Sequence, residues 1–121
     1  MTKVNLEAAF ARFSDHWSPK VAGDINDTQV KLVKLLGEFV WHRHDAEDEL
    51  FLVHNGRLLM RFRDREVWLE AGEFLIVPRG VEHQPVAFEE CAVVLIEPRA
   101  TVNTGNVRDE RTVTDLDRLA P

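Results

Sequence analysis

Residues 37–56 read GEFVWHRHDAEDELFLVHNG, and the order of residue types in this stretch decides how the rest of the chain is read. His42 and His44 are one residue apart, so on an extended strand both imidazoles face one side while Trp41 and Arg43 face the other. An acidic turn follows, and Glu49 opens the apolar run ELFLV. A strand, a turn and the start of a second strand fold Glu49 back beside the two histidines, and the same alternation then sends Phe51 and Val53 inward with it. Glu47 and Asp48 can stay hydrated in the turn. An inward carboxylate is costly unless it is paired or bound to a metal, whereas a solvated Glu49 at the turn costs nothing.

Outward from this stretch, from Val30 onward, short runs rich in Val, Leu, Ile, Phe and Trp alternate with Gly, Pro, Asn or charged residues. This rhythm predicts an all-β sandwich or barrel. Asn55-Gly56 suits a tight hairpin joining ELFLVH to RLLMRF, and Asp64-Arg65 is a weaker turn signal. Gly72 and Gly80 flank FLIVP, where Pro78 lacks a backbone donor and fits a strand end. Residues 1–29 are less regular. Asn5 to Phe13 can form a short helix with Leu6, Ala9, Phe10 and Phe13 on one side, and Pro19 disfavours helix before it. In the tail, residues 99–121, a polar loop leads to TVTDLDRLA, read as a short terminal helix capped by Thr114 with Asp117 three residues later. The expectation is one domain, residues 1–121, with a helical start, a β body and a helical tail.

The 121 residues are 45% hydrophobic and 30% charged, enough for a core without staples. The single cysteine, Cys91, lies in the apolar run CAVVLI and excludes a disulfide framework or a cysteine zinc cluster. A cytoplasmic setting is expected, with no signal segment and no apolar run approaching the roughly 20 residues of a membrane span. Fifteen basic against 21 acidic residues give a net charge of -6, which argues against nucleic-acid binding. The cluster RFRDRE, residues 61–66, mixes its signs and reads as a solvated strand face.

A third histidine, His83, follows another strand and a Pro-Arg-Gly turn. Three imidazoles and one carboxylate suit a borderline divalent ion: Fe, Mn, Ni, Zn or Cu. An octahedral shell leaves two positions open, and a site charge of about +1 attracts an anionic or chelating small molecule. His54, before the Asn-Gly turn, and His16, in the irregular N-terminal segment, read as surface residues.

At this point the chain resembles the small single-domain members of the cupin superfamily. Their first motif, glycine, about five residues, HxH, three or four residues, glutamate, six residues and glycine, matches Gly37, His42, His44, Glu49 and Gly56. Their second, glycine, five residues, PxG, two residues and histidine, matches Gly72, Pro78, Gly80 and His83 in GEFLIVPRGVEH, so the motif core covers residues 37–83. Gly37 stands one residue closer to the histidines than the pattern has it, and Ala87 occupies the position of a frequent asparagine. The resemblance implies a cupin double-stranded β-barrel, jelly-roll-like, with a metal inside held by His42, His44, Glu49 and His83, and a homodimer. It leaves the reaction open, because cupins include dioxygenases, isomerases, epimerases, decarboxylases and non-enzymatic ligand sensors. The mannose-6-phosphate isomerase label often given to short cupins does not suit a chain of one small barrel.

An iron-loaded site couples substrate chelation to reaction with O2. A manganese, nickel or zinc site polarises a carbonyl or lowers the pKa of bound water, for isomerisation or hydrolysis. Phe51, Val53, Met60, Phe62, Phe74, Ile76 and Val94 are candidates for the pocket wall or for plain core. Acid–base candidates are few: there is no Tyr, Cys91 reads as a buried small hydrophobe, and His54 and Glu82 are remote options. Arg79 could meet an anionic substrate, Asn103 and Thr104 could cover a barrel edge or pocket mouth, and Trp41, Trp68 and Leu69 could form a dimer face. The function expected is a metal-dependent oxidoreductase of dioxygenase type acting on a small polar or anionic metabolite. Alternatives are a metal-dependent isomerase or lyase, and a non-catalytic small-molecule binder.

Overall fold

The structure is a computed structural model that describes residues 1–120. After a five-residue helix α1 (Leu6–Phe10), seven strands follow: β1 (Lys20–Ile25), β2 (Thr28–Glu38), β3 (Glu49–Asn55), β4 (Arg57–Phe62), β5 (Glu66–Glu70), β6 (Phe74–Val77) and β7 (His83–Pro98). Asn5 caps α1 by accepting from the Ala8 N–H at 2.9 Å. The helix is shorter than the run from Asn5 to Phe13 suggests. β1 has no counterpart in the sequence reading. It pairs with β2 across Asn26-Asp27, where Asn26 takes a left-handed φ of 55°.

β7 organises the sheet. Along one edge it pairs with β2 from Thr28↔Pro98 to Glu38↔Val86. On the other edge its first half pairs with β4 and its second half with β3. Phe88, Glu89 and Glu90, all exposed, mark the stretch between the two halves. β6 then adds to β3, and β5 to β4. All these pairings are antiparallel.

This pairing corrects the expected barrel. The strand order is β1-β2-β7-β3-β6, with β4 and β5 branching from β7, and no ladder joins β5 to β6, so the sheet does not close. β1, β5 and β6 remain edges. Four-residue β6 runs straight into Pro78, which has no N–H to donate, and β5 presents exposed Glu66 and Glu70 at its ends.

The Asn55-Gly56 hairpin is also corrected, because β3 and β4 do not pair with each other. Gly56 is a corner at which the chain leaves one half of β7 for the other. Its φ is 89°, and a Cβ there would stand 2.9 Å from the Glu90 carbonyl oxygen. The real hairpin is the weaker signal: β4 and β5 close with the Phe62 N–H donating to the Arg65 carbonyl at 2.8 Å. The expected C-terminal helix does not form either. The tail lies extended along β1, with the Val21 N–H bonded to the Asp117 carbonyl and the Leu119 N–H to the Val21 carbonyl, both at 2.9 Å. An open strand edge satisfies these backbone groups in place of a helical ladder, and Thr114 is left exposed.

Strand alternation divides the apolar residues between two faces. Val33, Leu35, Phe51, Val53, Val93 and Leu95 meet Leu58, Met60 and Leu69 of the β4–β5 hairpin in the main core. Leu32, Ala92 and Val94 face the other way, where Ala9 and Phe10 of α1 cover them. Of the residues proposed for a pocket wall, Val53 and Met60 are therefore core, Phe62 packs against it, Val94 lies on the helix side, and Phe74 and Ile76 are exposed.

Candidate metal centre

The connection from β2 to β3 carries His42 and His44, β3 begins at Glu49, and β7 begins at His83. The expected strand through the histidine pair is reduced to one bridge. His42 and His83 exchange backbone hydrogen bonds at 3.0 and 2.9 Å, the Gly80 N–H bonds the His44 carbonyl at 2.8 Å, and the Asp48 carboxylate accepts from the Arg79 N–H. These contacts bring together all four residues expected from the motifs. One ligand-type atom from each of His42, His44, Glu49 and His83 lies within 4.8 Å of the others, and the residues are 2%, 4%, 4% and 0% exposed.

The orientation of the rings follows from their outer hydrogen bonds. His42 Nδ1–H donates to the Val40 carbonyl and His83 Nδ1–H to the Val81 carbonyl, each at 2.9 Å. A carbonyl can only accept, so both rings carry their proton on Nδ1 and present the Nε2 lone pair. His44 Nε2 and His83 Nε2 stand 3.2 and 3.5 Å from the same oxygen, Glu49 Oε1. Among the described residues, these three atoms are buried without a hydrogen-bond partner. Converging donor atoms left unpaired in a dry interior are costly, and a cation held between them removes that cost. The cluster therefore fits a divalent metal ion.

Electrostatics agree. Burial, aided by the neighbouring His83, pushes His42 down to about 4, so the ring is neutral, as a ligand must be. Burial alone pushes the Glu49 carboxyl up, but its neighbours Glu97, His44 and His83 outweigh it and hold Glu49 well below its ordinary value. Burial and the charge of Glu49 push Glu97 well above its own.

Beside His42 and Glu49 opens a narrow cavity of about 30 Å³, walled by Trp17, Leu35, Phe39, Phe51 and Leu95. Phe51 alone of the proposed wall residues lines it. Asn103 lines it too, its Nδ2 donating to the carbonyls of Trp17 at 3.2 Å and Arg111 at 2.8 Å. Thr104 is fully buried and bonds within its own loop. The other candidates lie elsewhere. His54 stacks on Phe10 and meets Glu7 on the helix side, Glu82 pairs with Arg63 at the surface, and the Arg79 side chain is exposed. Burial drives the Cys91 thiol up to about 12, which makes it inert.

Three contributions escaped the sequence reading. Gly105 and Asn106 clamp the histidine segment, Asn106 bonding both the Arg43 N–H and the Arg43 carbonyl at 2.8 and 3.0 Å. Trp17, with a left-handed φ of 60°, stacks on Phe39 at 4.4 Å, and Phe39 in turn meets the His42 ring edge-on. Lys31 and Glu97 form a buried ion pair of 2.7 Å behind Glu49. Only the last left a readable trace, because Lys31 shares its parity with Val33 and Leu35, and Glu97 with Val93 and Leu95.

The fold and this cluster define a β protein with a histidine–carboxylate cluster able to hold a metal ion. The cupin domain family Cupin_2 matches residues 32–97, and the chain belongs to the cupin family. A cupin-2 domain containing protein from Shewanella frigidimarina NCIMB 400 is 51% identical over 79% of this chain and 94% of its own, with a TM-score of 0.78. NMB1881 from Neisseria meningitidis is 32% identical over 80% of this chain and 99% of its own, with a TM-score of 0.74. Among curated proteins, the uncharacterized YdbB of Bacillus subtilis (strain 168) is 36% identical over 75 residues, which is 61% of this chain and 66% of YdbB. No helix among the described residues is long and apolar enough to cross a membrane.

Proposed function

We propose that His42, His44, Glu49 and His83 bind one divalent transition metal per chain, and that the protein is a metal-dependent oxidoreductase of dioxygenase type. Its substrate is a small chelating molecule with polar or anionic donor atoms and an apolar body. The observation that carries this reading is the pairing of the donor cluster with its cavity. His42 and Glu49 are the titratable side chains lining that cavity, and both are proposed ligands, while the remaining walls are apolar apart from Asn103. Isomerisation or elimination asks for a protein base within reach of the substrate. The cavity offers none outside the ligand set, which favours chemistry run by the metal.

When bound, the ion supplies Lewis acidity and, if it is iron, a redox couple for reaction with O2. The chain's own residues do the rest. Val40 and Val81 fix the tautomers of His42 and His83, Trp17, Phe39 and Phe51 exclude water from the substrate's body, and Asn103 holds Trp17 at the cavity wall.

The test is the metal content of tag-free protein by plasma mass spectrometry, alongside His42→Ala and His83→Ala. About one equivalent of iron, lost in both variants, followed by substrate-dependent O2 consumption, supports the reading. A firmly held nickel, manganese or zinc, with no O2 consumption after iron replacement, moves the protein to an isomerase or lyase. Binding of small molecules without turnover makes it a ligand-binding cupin. We also propose a homodimer, supported by exposed Phe74 and Ile76 on edge strand β6 and by Trp68 and Phe88. Light scattering at the mass of one chain contradicts it.

A further inference from the structure

Lys31 and Glu97 are 1% and 2% exposed, and their 2.7 Å ion pair lies on the inner face of the sheet rather than at its rim. The register explains how they meet the site. Leu50 pairs with Ile96, so one step back along β3 sets Glu49 across from Glu97, and Lys31 pairs with Leu95 from the opposite edge of β7. Glu97 thus has a neighbour on each side, with Lys31 Nζ 2.7 Å from its Oε2 and Glu49 across from it on β3. Lys31 Nζ also reaches the Thr101 carbonyl at 3.4 Å, which ties the pair to the loop that continues to the Gly105–Asn106 clamp.

A buried ion pair is poor evidence for stability, since well-packed apolar residues of similar volume often serve as well or better. Its position behind a single ligand calls for another role. Side chains that hydrogen-bond a metal ligand fix its orientation and basicity. We infer that Glu97, anchored by Lys31, is the positioning residue that aims the Glu49 carboxylate at the three imidazoles. The inference rests on the metal reading above.

Cobalt(II) titration of the whole protein tests it, with affinity from competition with a chelator, the visible spectrum as a report on the ligand set, and metal-free stability from urea unfolding. The Glu97→Val variant and the Lys31→Met/Glu97→Val pair should bind cobalt about 10- to 100-fold more weakly with an altered spectrum. The double variant should match or exceed the wild type in metal-free stability. Glu97→Gln, which keeps the shape of the side chain and an oxygen for Lys31 to donate to, should keep wild-type affinity and spectrum. Unchanged affinity in the double variant overturns the inference, as does a Glu97→Gln variant no better than Glu97→Val. If the valine variants do not fold, Lys31→Met decides: weakened binding supports the role and wild-type binding refutes it. A folded wild type that takes up no cobalt removes the metal reading itself, and the inference with it. Cobalt binding lost in His42→Ala but intact in every Lys31 and Glu97 variant removes only the inference.

Discussion

His42 and His83 hold each other by two reciprocal backbone hydrogen bonds of 3.0 and 2.9 Å, although His42 lies outside every strand. Their ring centroids are 4.3 Å apart, and each ring is anchored through Nδ1 to the carbonyl two residues before it. The main chain therefore sets two of the four proposed ligands without help from an ion.

A preformed site predicts that metal binding adds stability without adding structure. At a free metal concentration 100 times the dissociation constant, unfolding should cost about 2.7 kcal/mol more than in chelator. The far-ultraviolet circular dichroism should stay the same. Calorimetry and dichroism on the wild type and His83→Ala check this, with the gain absent in the variant. A chelated wild type that loses its β signal would show that the ion builds the site.

Acid should expose the burial of His42. In the unfolded chain this imidazole takes a proton near its ordinary 6.5, whereas the folded chain refuses it until about pH 4. Between those values the unfolded state binds more protons, so stability falls as pH falls, by about 3 kcal/mol over the window. Glu97, which burial and the charge of Glu49 push well above its ordinary value in the fold, contributes with the opposite sign over part of the same range. The diagnostic quantity is consequently the difference between wild type and His42→Gln in urea unfolding of metal-free protein. That difference should shrink steadily from pH 7 to pH 4. Parallel pH profiles would mean that His42 is not held neutral.

What the sequence made legible was short-range. Strand alternation and one turn placed His42, His44 and Glu49 together, the resemblance to the cupin motifs added His83, and the β character from Val30 onward followed from punctuation. Pairing partners were not legible. Asn55-Gly56 looks like a hairpin from its neighbours, yet β7 is long enough to give β3 and β4 separate berths, and the left-handed glycine serves a corner instead. The closed barrel failed for the same reason: the ends of a sheet depend on which strands find partners across the whole chain. β1 was hidden because only its first residues are buried, and the tail that lies along it carries a helix-like cap pattern.

Gly105 should tolerate no side chain. Its φ is 58°, and an added Cβ would drive into the Arg43 carbonyl oxygen and press the His42 ring at 3.1 Å. Gly105→Ala should cost more than about 1 kcal/mol of stability and should weaken metal binding, because the clamp and His42 shift together. Gly37→Ala is the control. That position also has a positive φ, 85°, but opens onto free space, so its variant carries the backbone cost and keeps wild-type metal affinity. Equal metal affinity in the two variants would contradict the clamp.

Trp17 offers the sharpest separation of backbone from side-chain effects. Its ring stacks on Phe39, its Nε1–H donates to the Leu36 carbonyl at 2.9 Å, and it walls the cavity, all from a left-handed backbone that tryptophan seldom adopts. Truncating it should cost about 3–5 kcal/mol through lost packing. The order of the two smallest replacements should then invert. In most places glycine is less stable than alanine, but at this φ alanine keeps the strain and glycine releases it, so Trp17→Gly should be about 1 kcal/mol more stable than Trp17→Ala. Urea unfolding of the two variants measures this directly, and an alanine variant equal to or better than glycine would mean that position 17 moves out of the left-handed region when the ring is removed. Trp17 supplies no ligand atom, so both variants should keep wild-type metal affinity while widening the cavity. Loss of metal from either one would extend Trp17's role, through Phe39, to the orientation of the His42 ring.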